Sequence, residues 1–152
     1  MTRVDFYILG SASDDSRLRF ACRITEKAIQ QSHHVFLNAA NEVDARQLDK
    51  LLWTFSQGSF IPHLIITEDL TAPAVEPVLI GIDAPDVEDD EPGALGENWD
   101  LMINLSSRVP TFFSRYARVA EVIDGDPGRK QAGREHYRFY RDRGYELNTH
   151  NI

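Results

Sequence analysis

From the first residues of this chain, short apolar runs alternate with segments of helical spacing, and that alternation narrows the fold more than any other feature. Val4, Phe6 and Ile8 alternate with Asp5 and Tyr7 up to Leu9 and Gly10, the pattern of a strand that ends in a turn. Ser13 is placed to cap the helix that follows, with Asp14 and Asp15 in its first turn, where carboxylates suit the positive end of the helix dipole. Leu18, Cys22 and Ile29 can share an apolar stripe on that helix, which is expected to run to about Gln31. Residues 34–38 (HVFLN) read as a buried second strand. Asn41 or Glu42 then opens a second helix through Leu48, Leu51 and Leu52 to Trp53. Strand, helix, strand, helix predicts an α/β protein with a parallel sheet covered by helices.

The later runs 64–67 (LIIT), 78–82 (VLIGI), 101–105 (LMINL) and 119–123 (VAEVI) are strand-sized as well. Pro110 is expected to start a short helix through Phe112, Phe113 and Tyr116. Asp126 and Pro127 make a strong helix start, as N-cap and first helical residue, and Gly144 is well placed to stop that helix after Arg143. At 152 residues the chain suits one domain, and it contains no linker or internal repeat. No apolar run approaches the length of a membrane span. The apolar part of the first residues is too short for a secretory leader and is read as the first strand.

Several chemistries are missing from the residues. The turn at Gly10-Ser11-Ala12-Ser13 lacks the later glycines of the dinucleotide fingerprint, and no phosphate-cradling GxxxxGK[ST] occurs. The five histidines include no i, i+4 pair of a helical zinc site, and no nucleophile-elbow pattern appears. With Cys22 alone, neither an internal disulfide nor a cysteine-rich metal site can form. Residues 83–100 carry 8 acidic side chains and no basic one, and are read as a mobile surface loop. Carboxylates bind hard cations, but this loop lacks the calcium-loop pattern. The residues therefore give no positive sign of an enzyme, a cofactor or a metal.

Charge is more informative than its total. The net value is −8, which opposes binding to phosphate in general. Yet residues 1–107 hold 7 basic and 18 acidic side chains, whereas residues 108–152 hold 9 basic and 6 acidic ones. Much of the basic excess falls on the last helix, 127–143. Lys130, Arg134, Tyr137, Arg138 and Arg141 share one helical face there, suited to carboxylates or phosphates through charge-assisted hydrogen bonds. A plain solvated face is the other reading. The segment 53–63 (WTFSQGSFIPH) sets a similar choice, because its aromatics either fold onto the core or form a patch for a partner.

These two segments, with the opening VDFYIL (4–9), carry a resemblance. LDKLLWTFSQGSFIPH (48–63) and REHYRFYRDRGYELNT (134–149) resemble the chi subunit family of bacterial DNA polymerase III holoenzyme. The resemblance implies a three-layer, Rossmann-like α/β fold of mononucleotide-binding type, mainly parallel, with helices on both faces and no nucleotide activity. It implies a cytoplasmic, non-catalytic accessory protein without cofactor, which meets nucleic acid only indirectly. Its partners would be the psi subunit, through it the clamp loader, and the acidic C-terminal tail of single-stranded DNA-binding protein (SSB). In some bacteria a repair helicase joins them. Lys130, Arg134 and Tyr137 match the family's tail pocket, with Arg138 and Arg141 added from helical phase. Trp53, Phe60, Ile61 and Pro62 match the psi or helicase face, with Phe60 the expected hot spot. Two other classes stay open at this point: a direct nucleic-acid binder, and a small nucleotide-processing enzyme on a Rossmann-like fold. The acidic first 107 residues and the missing phosphate loop weigh against them.

Overall fold

The computed structural model of the chain describes residues 2–54, 61–66, 76–83 and 100–152. Among these, β1 (Arg3–Ile8), β2 (Val35–Ala39), β3 (His63–Ile65), β4 (Val78–Ile82), β5 (Leu101–Asn104), β6 (Arg118–Ile123) and β7 (Glu146–Asn151) form one sheet. Its order is β3-β4-β2-β5-β6-β1-β7, and every neighbouring pair is parallel. The helices are α1 (Asp14–Gln30), α2 (Glu42–Thr54) and α3 (Pro127–Asp142).

Handedness explains the layers. α1 and α2 carry the chain toward the β3 edge, and α3 carries it toward the β7 edge. Right-handed crossovers travelling in opposite directions must lie on opposite faces. Accordingly one core cluster packs Leu18, Cys22, Leu48 and Leu52 of α1 and α2 against Leu37, Ile80 and Ile103. A second cluster, on the other face, packs Tyr140 of α3 and Phe113 against Phe6, Phe36 and Met102. This is the expected three-layer α/β fold.

The expected caps are in place. Ser13 accepts from Ser16 N, and Asp126 accepts from Arg129 N with Pro127 next to it. Gly144 follows α3 with φ of 79°, a conformation that suits glycine. Two expectations are corrected, and one strand is added. The short helix after Pro110 is a single 3-10 turn, Phe113–Arg115, with no side-chain cap. Its aromatics Phe112, Phe113 and Tyr116 are buried, so packing rather than helix propensity sets this segment. The third strand lies at His63–Ile65, slightly earlier than 64–67, and Thr67 falls outside the described residues. Finally, β7 adds a strand beyond the last helix, paired to β1 with Val4 opposite Leu147. Asp5 ties this edge together. Its buried carboxylate accepts from Arg118 Nε at 2.6 Å and meets His150 Nε2 at 3.1 Å.

Candidate functional site

A polar row crosses the second face beneath α3. Asn38, Asn104 and Glu121 stand in register on β2, β5 and β6 near the strands' carboxyl ends. Asn38 Nδ2 donates to Asn104 Oδ1 at 3.0 Å, and Asn104 Nδ2 donates to Glu121 Oε2 at 2.9 Å. From α3, Tyr140 Oη donates to the same Glu121 oxygen at 2.7 Å, and His136 Nδ1 lies 2.9 Å from Oε1. Buried polar groups are tolerable only when paired in this way. Beside the row lies a cleft of about 280 Å³, where the connections leaving β2 and β5 turn to opposite faces. Ligands often bind at such a point. Here its charged walls pair with one another, Arg17 with Asp44 at 2.8 Å and Glu121 with His136.

The row fixes which side of α3 faces water. Gly133, His136 and Tyr140 are buried, and a Cβ at Gly133 would come 2.3 Å from Ile123 Cδ1, so the helix approaches β6 closely. At its start, the buried Asp124 accepts from Arg129 Nε and Nη2, both at 2.7 Å. Burial by itself would raise the Asp124 carboxyl pKa. The Arg129 hydrogen bonds, the Asp126 backbone N–H and nearby guanidinium charge more than offset this and hold it below the ordinary carboxylate value.

Lys130, Arg134, Tyr137, Arg138 and Arg141 are then all exposed on one arc. Tyr137 is 38% exposed and borders the buried stripe, its ring 5.3 Å from that of Phe6 in an edge-to-face contact. Arg138 lies roughly opposite the buried stripe, so it points farthest from the sheet. Arg141 reaches Asp142 at 3.3 Å. Among the described residues, Lys130, Arg134 and Arg138 form no ion pair. Three cations and one aromatic edge are left available to an anionic ligand.

The second expected surface is sorted differently. Trp53 is 55% exposed at the end of α2, and Pro62 is exposed. Ile61 is only 4% exposed and belongs to the core cluster under α1 and α2. It packs into the core and presents no open contact surface. Phe60 lies outside the described residues, as do Phe55 and residues 84–99 of the acidic segment. His63 supports Trp53 through a T-shaped ring contact at 5.0 Å. Its Nε2 lies 2.8 Å from Asp49 Oδ1, and its Nδ1 lies 2.6 Å from the Ile61 carbonyl oxygen. The two surfaces stand on different elements, α3 and α2, on opposite faces of the sheet.

Among the described residues, no group of three or more His, Cys, Asp or Glu is placed to hold a metal ion, and no helix is long and apolar enough to cross a membrane. Comparison with known proteins bears on the whole chain. Residues 1–148 match the family described as DNA polymerase III chi subunit, HolC. The chain is 41% identical to the DNA polymerase III subunit chi of Pseudomonas aeruginosa over 152 residues, covering 100% of this chain and 98% of that one. It is 26% identical to the protein of the same name from Escherichia coli over 153 residues, covering 98% and 97%. The Haemophilus influenzae protein of that name is 25% identical over 151 residues, covering 97% and 95%. The chain belongs to the DNA polymerase III chi subunit family.

Proposed function

We propose that the protein is a non-catalytic, cytoplasmic bridge in DNA replication. One surface, around Trp53, Phe60 and Pro62, docks on the psi subunit and through it on the clamp loader, or on a repair helicase where one is present. The other, the α3 face, captures the acidic C-terminal tail of SSB. Nucleic acid is met only through SSB.

The observation that carries this reading is the set of exposed cations on α3, Lys130, Arg134 and Arg138, which form no ion pair among the described residues and lie beside the partly exposed Tyr137. Guanidinium groups can hold the tail's carboxylates in bidentate fashion, and the resemblance implies a tail that ends in an aromatic residue, whose ring suits the Tyr137 side. These charges are exposed, so added salt weakens the contact. Several tails on one SSB oligomer would add avidity without new contacts.

The test is fluorescence anisotropy with a labelled synthetic peptide of the SSB tail. The peptide is expected to bind, to release with salt, and to lose binding when its terminal aromatic residue is deleted. Displacement of the bound peptide by bare single-stranded DNA would instead favour direct nucleic-acid binding by this face.

A further inference from the structure

The hydrogen bonds under α3 count protons. The Ser107 carbonyl oxygen can only accept, and it lies 2.9 Å from His136 Nε2, so that nitrogen carries a hydrogen. Nδ1 faces Glu121 Oε1, and this contact needs a second hydrogen. Asn104 Nδ2 and Tyr140 Oη both donate to Glu121 Oε2, so the contact with Nδ1 falls to the other oxygen. One proton therefore lies between the imidazole and the carboxylate of this buried pair.

We infer that this His136–Glu121 pair is a proton-dependent clamp that docks α3 on the sheet, and that Glu121 is the positioning residue for the exposed cations of that helix. α3 is also held by the Arg129–Asp124 pair at its start and by the rings of Phe139 and Tyr140 against Phe113 and Phe6, but its buried polar groups converge on Glu121. Of its buried residues, Gly133 gives only close approach, and both His136 and Tyr140 end on Glu121. The remaining charged groups nearby are Glu135 on α3 itself, the Arg17–Asp44 pair from α1 and α2, and the Arg129–Asp124 pair with Asp126 at the start of α3. Without the proton on Nδ1, a lone pair would face a carboxylate oxygen at hydrogen-bond distance.

The direction of titration follows. Burial alone would lower the imidazole pKa. The hydrogen bond and charge of Glu121, helped by the Ser107 carbonyl and Glu135, more than offset it and hold the value above the ordinary 6.5. A raised value means that the stabilisation is fully present below the unfolded histidine value and is lost as pH rises through the folded one.

The consequence for peptide capture rests on the bridging reading, but the clamp does not. The test is an NMR titration of the His136 ring nitrogens from about pH 6 to about pH 10, with amide exchange followed along α3. Both ring nitrogens are expected to be protonated near neutral pH. On loss of that proton, protection should fall in α3 and not in α1. Glu121→Gln should move this pH dependence to lower pH and weaken SSB-tail peptide binding about tenfold. His136→Gln, which keeps a donor and cannot titrate, should flatten the profile even where Glu121→Gln folds poorly. A neutral imidazole at neutral pH, or an unchanged α3 profile in His136→Gln, would overturn the clamp. If the peptide binds neither wild type nor variant, the bridging reading falls while the ring titration and α3 exchange still decide the clamp.

Discussion

Under Trp53 and under α3 the chain places similar hardware, an imidazole between a carboxylate and a backbone carbonyl. His63 joins Asp49 to the Ile61 carbonyl, and His136 joins Glu121 to the Ser107 carbonyl. The difference lies in the carboxylate. The Asp49 side chain is 39% exposed, whereas that of Glu121 is 3% exposed and also accepts from Asn104 and Tyr140. Water screens the first pair, so it acts as a local brace for one aromatic residue. The second is part of the core, so the basic face stands or falls with the sheet's interior. The surface read from the most exposed charges thus depends on the least exposed ones.

The largest effect expected from breaking that dependence is at Asp124. Its buried carboxylate holds Arg129 by two hydrogen bonds at the start of α3. Arg129 keeps about a third of its side chain in water, so removing its partner strands only part of a charge. Asp124→Ala should cost about 2–3 kcal/mol in urea unfolding, below the usual loss for a fully buried pair. It should also weaken tail-peptide binding while leaving psi binding intact in the folded fraction. Equal loss at both surfaces would contradict the separation of the two.

A crossed pair of substitutions sharpens the same point with smaller effects. Phe60→Ala should weaken psi binding by about 2 kcal/mol, as for a central aromatic anchor, and leave tail binding unchanged. Arg134→Ala should do the reverse, at about 1–2 kcal/mol, because a single exposed cation contributes less. Isothermal titration with each partner reads both. If either variant lost both activities with its fold intact, the surfaces would be one site.

What was legible in the sequence follows from how local each signal is. Ser13, Asp126-Pro127 and Gly144 mark helix ends by chemistry within a few residues, and each does so in the structure. The basic row on α3 needed only helical spacing. β7 was not legible, because Glu146–Asn151 is a polar edge strand whose partner β1 lies at the far end of the chain. The partners of Glu121 are no more local, since His136 and Tyr140 reach it only after α3 folds back. One signal was present. An acidic residue inside the apolar, strand-sized run VAEVI is costly unless paired. Asn38 and Asn104, in HVFLN and LMINL, posed the same question. Ile61 is buried, since an apolar residue in a connection can pack into the core as readily as face a partner.

The smallest predicted effect is at Asp49. Asp49→Asn keeps a side chain that can still bond the buried His63 ring but removes a carboxylate that is partly open to water. Stability should fall by less than about 1 kcal/mol, the range of exposed ion pairs. The Trp53 indole N–H resonance should nevertheless shift, because its ring rests edge-on against His63 at 5.0 Å and any tilt of the imidazole changes that contact. Psi binding should weaken slightly and tail binding not at all, since α2 and α3 lie on opposite faces of the sheet. A loss as large as that of Asp124→Ala would mean that the Trp53 surface is also held from the interior. The contrast between a local brace and a core clamp would then be wrong.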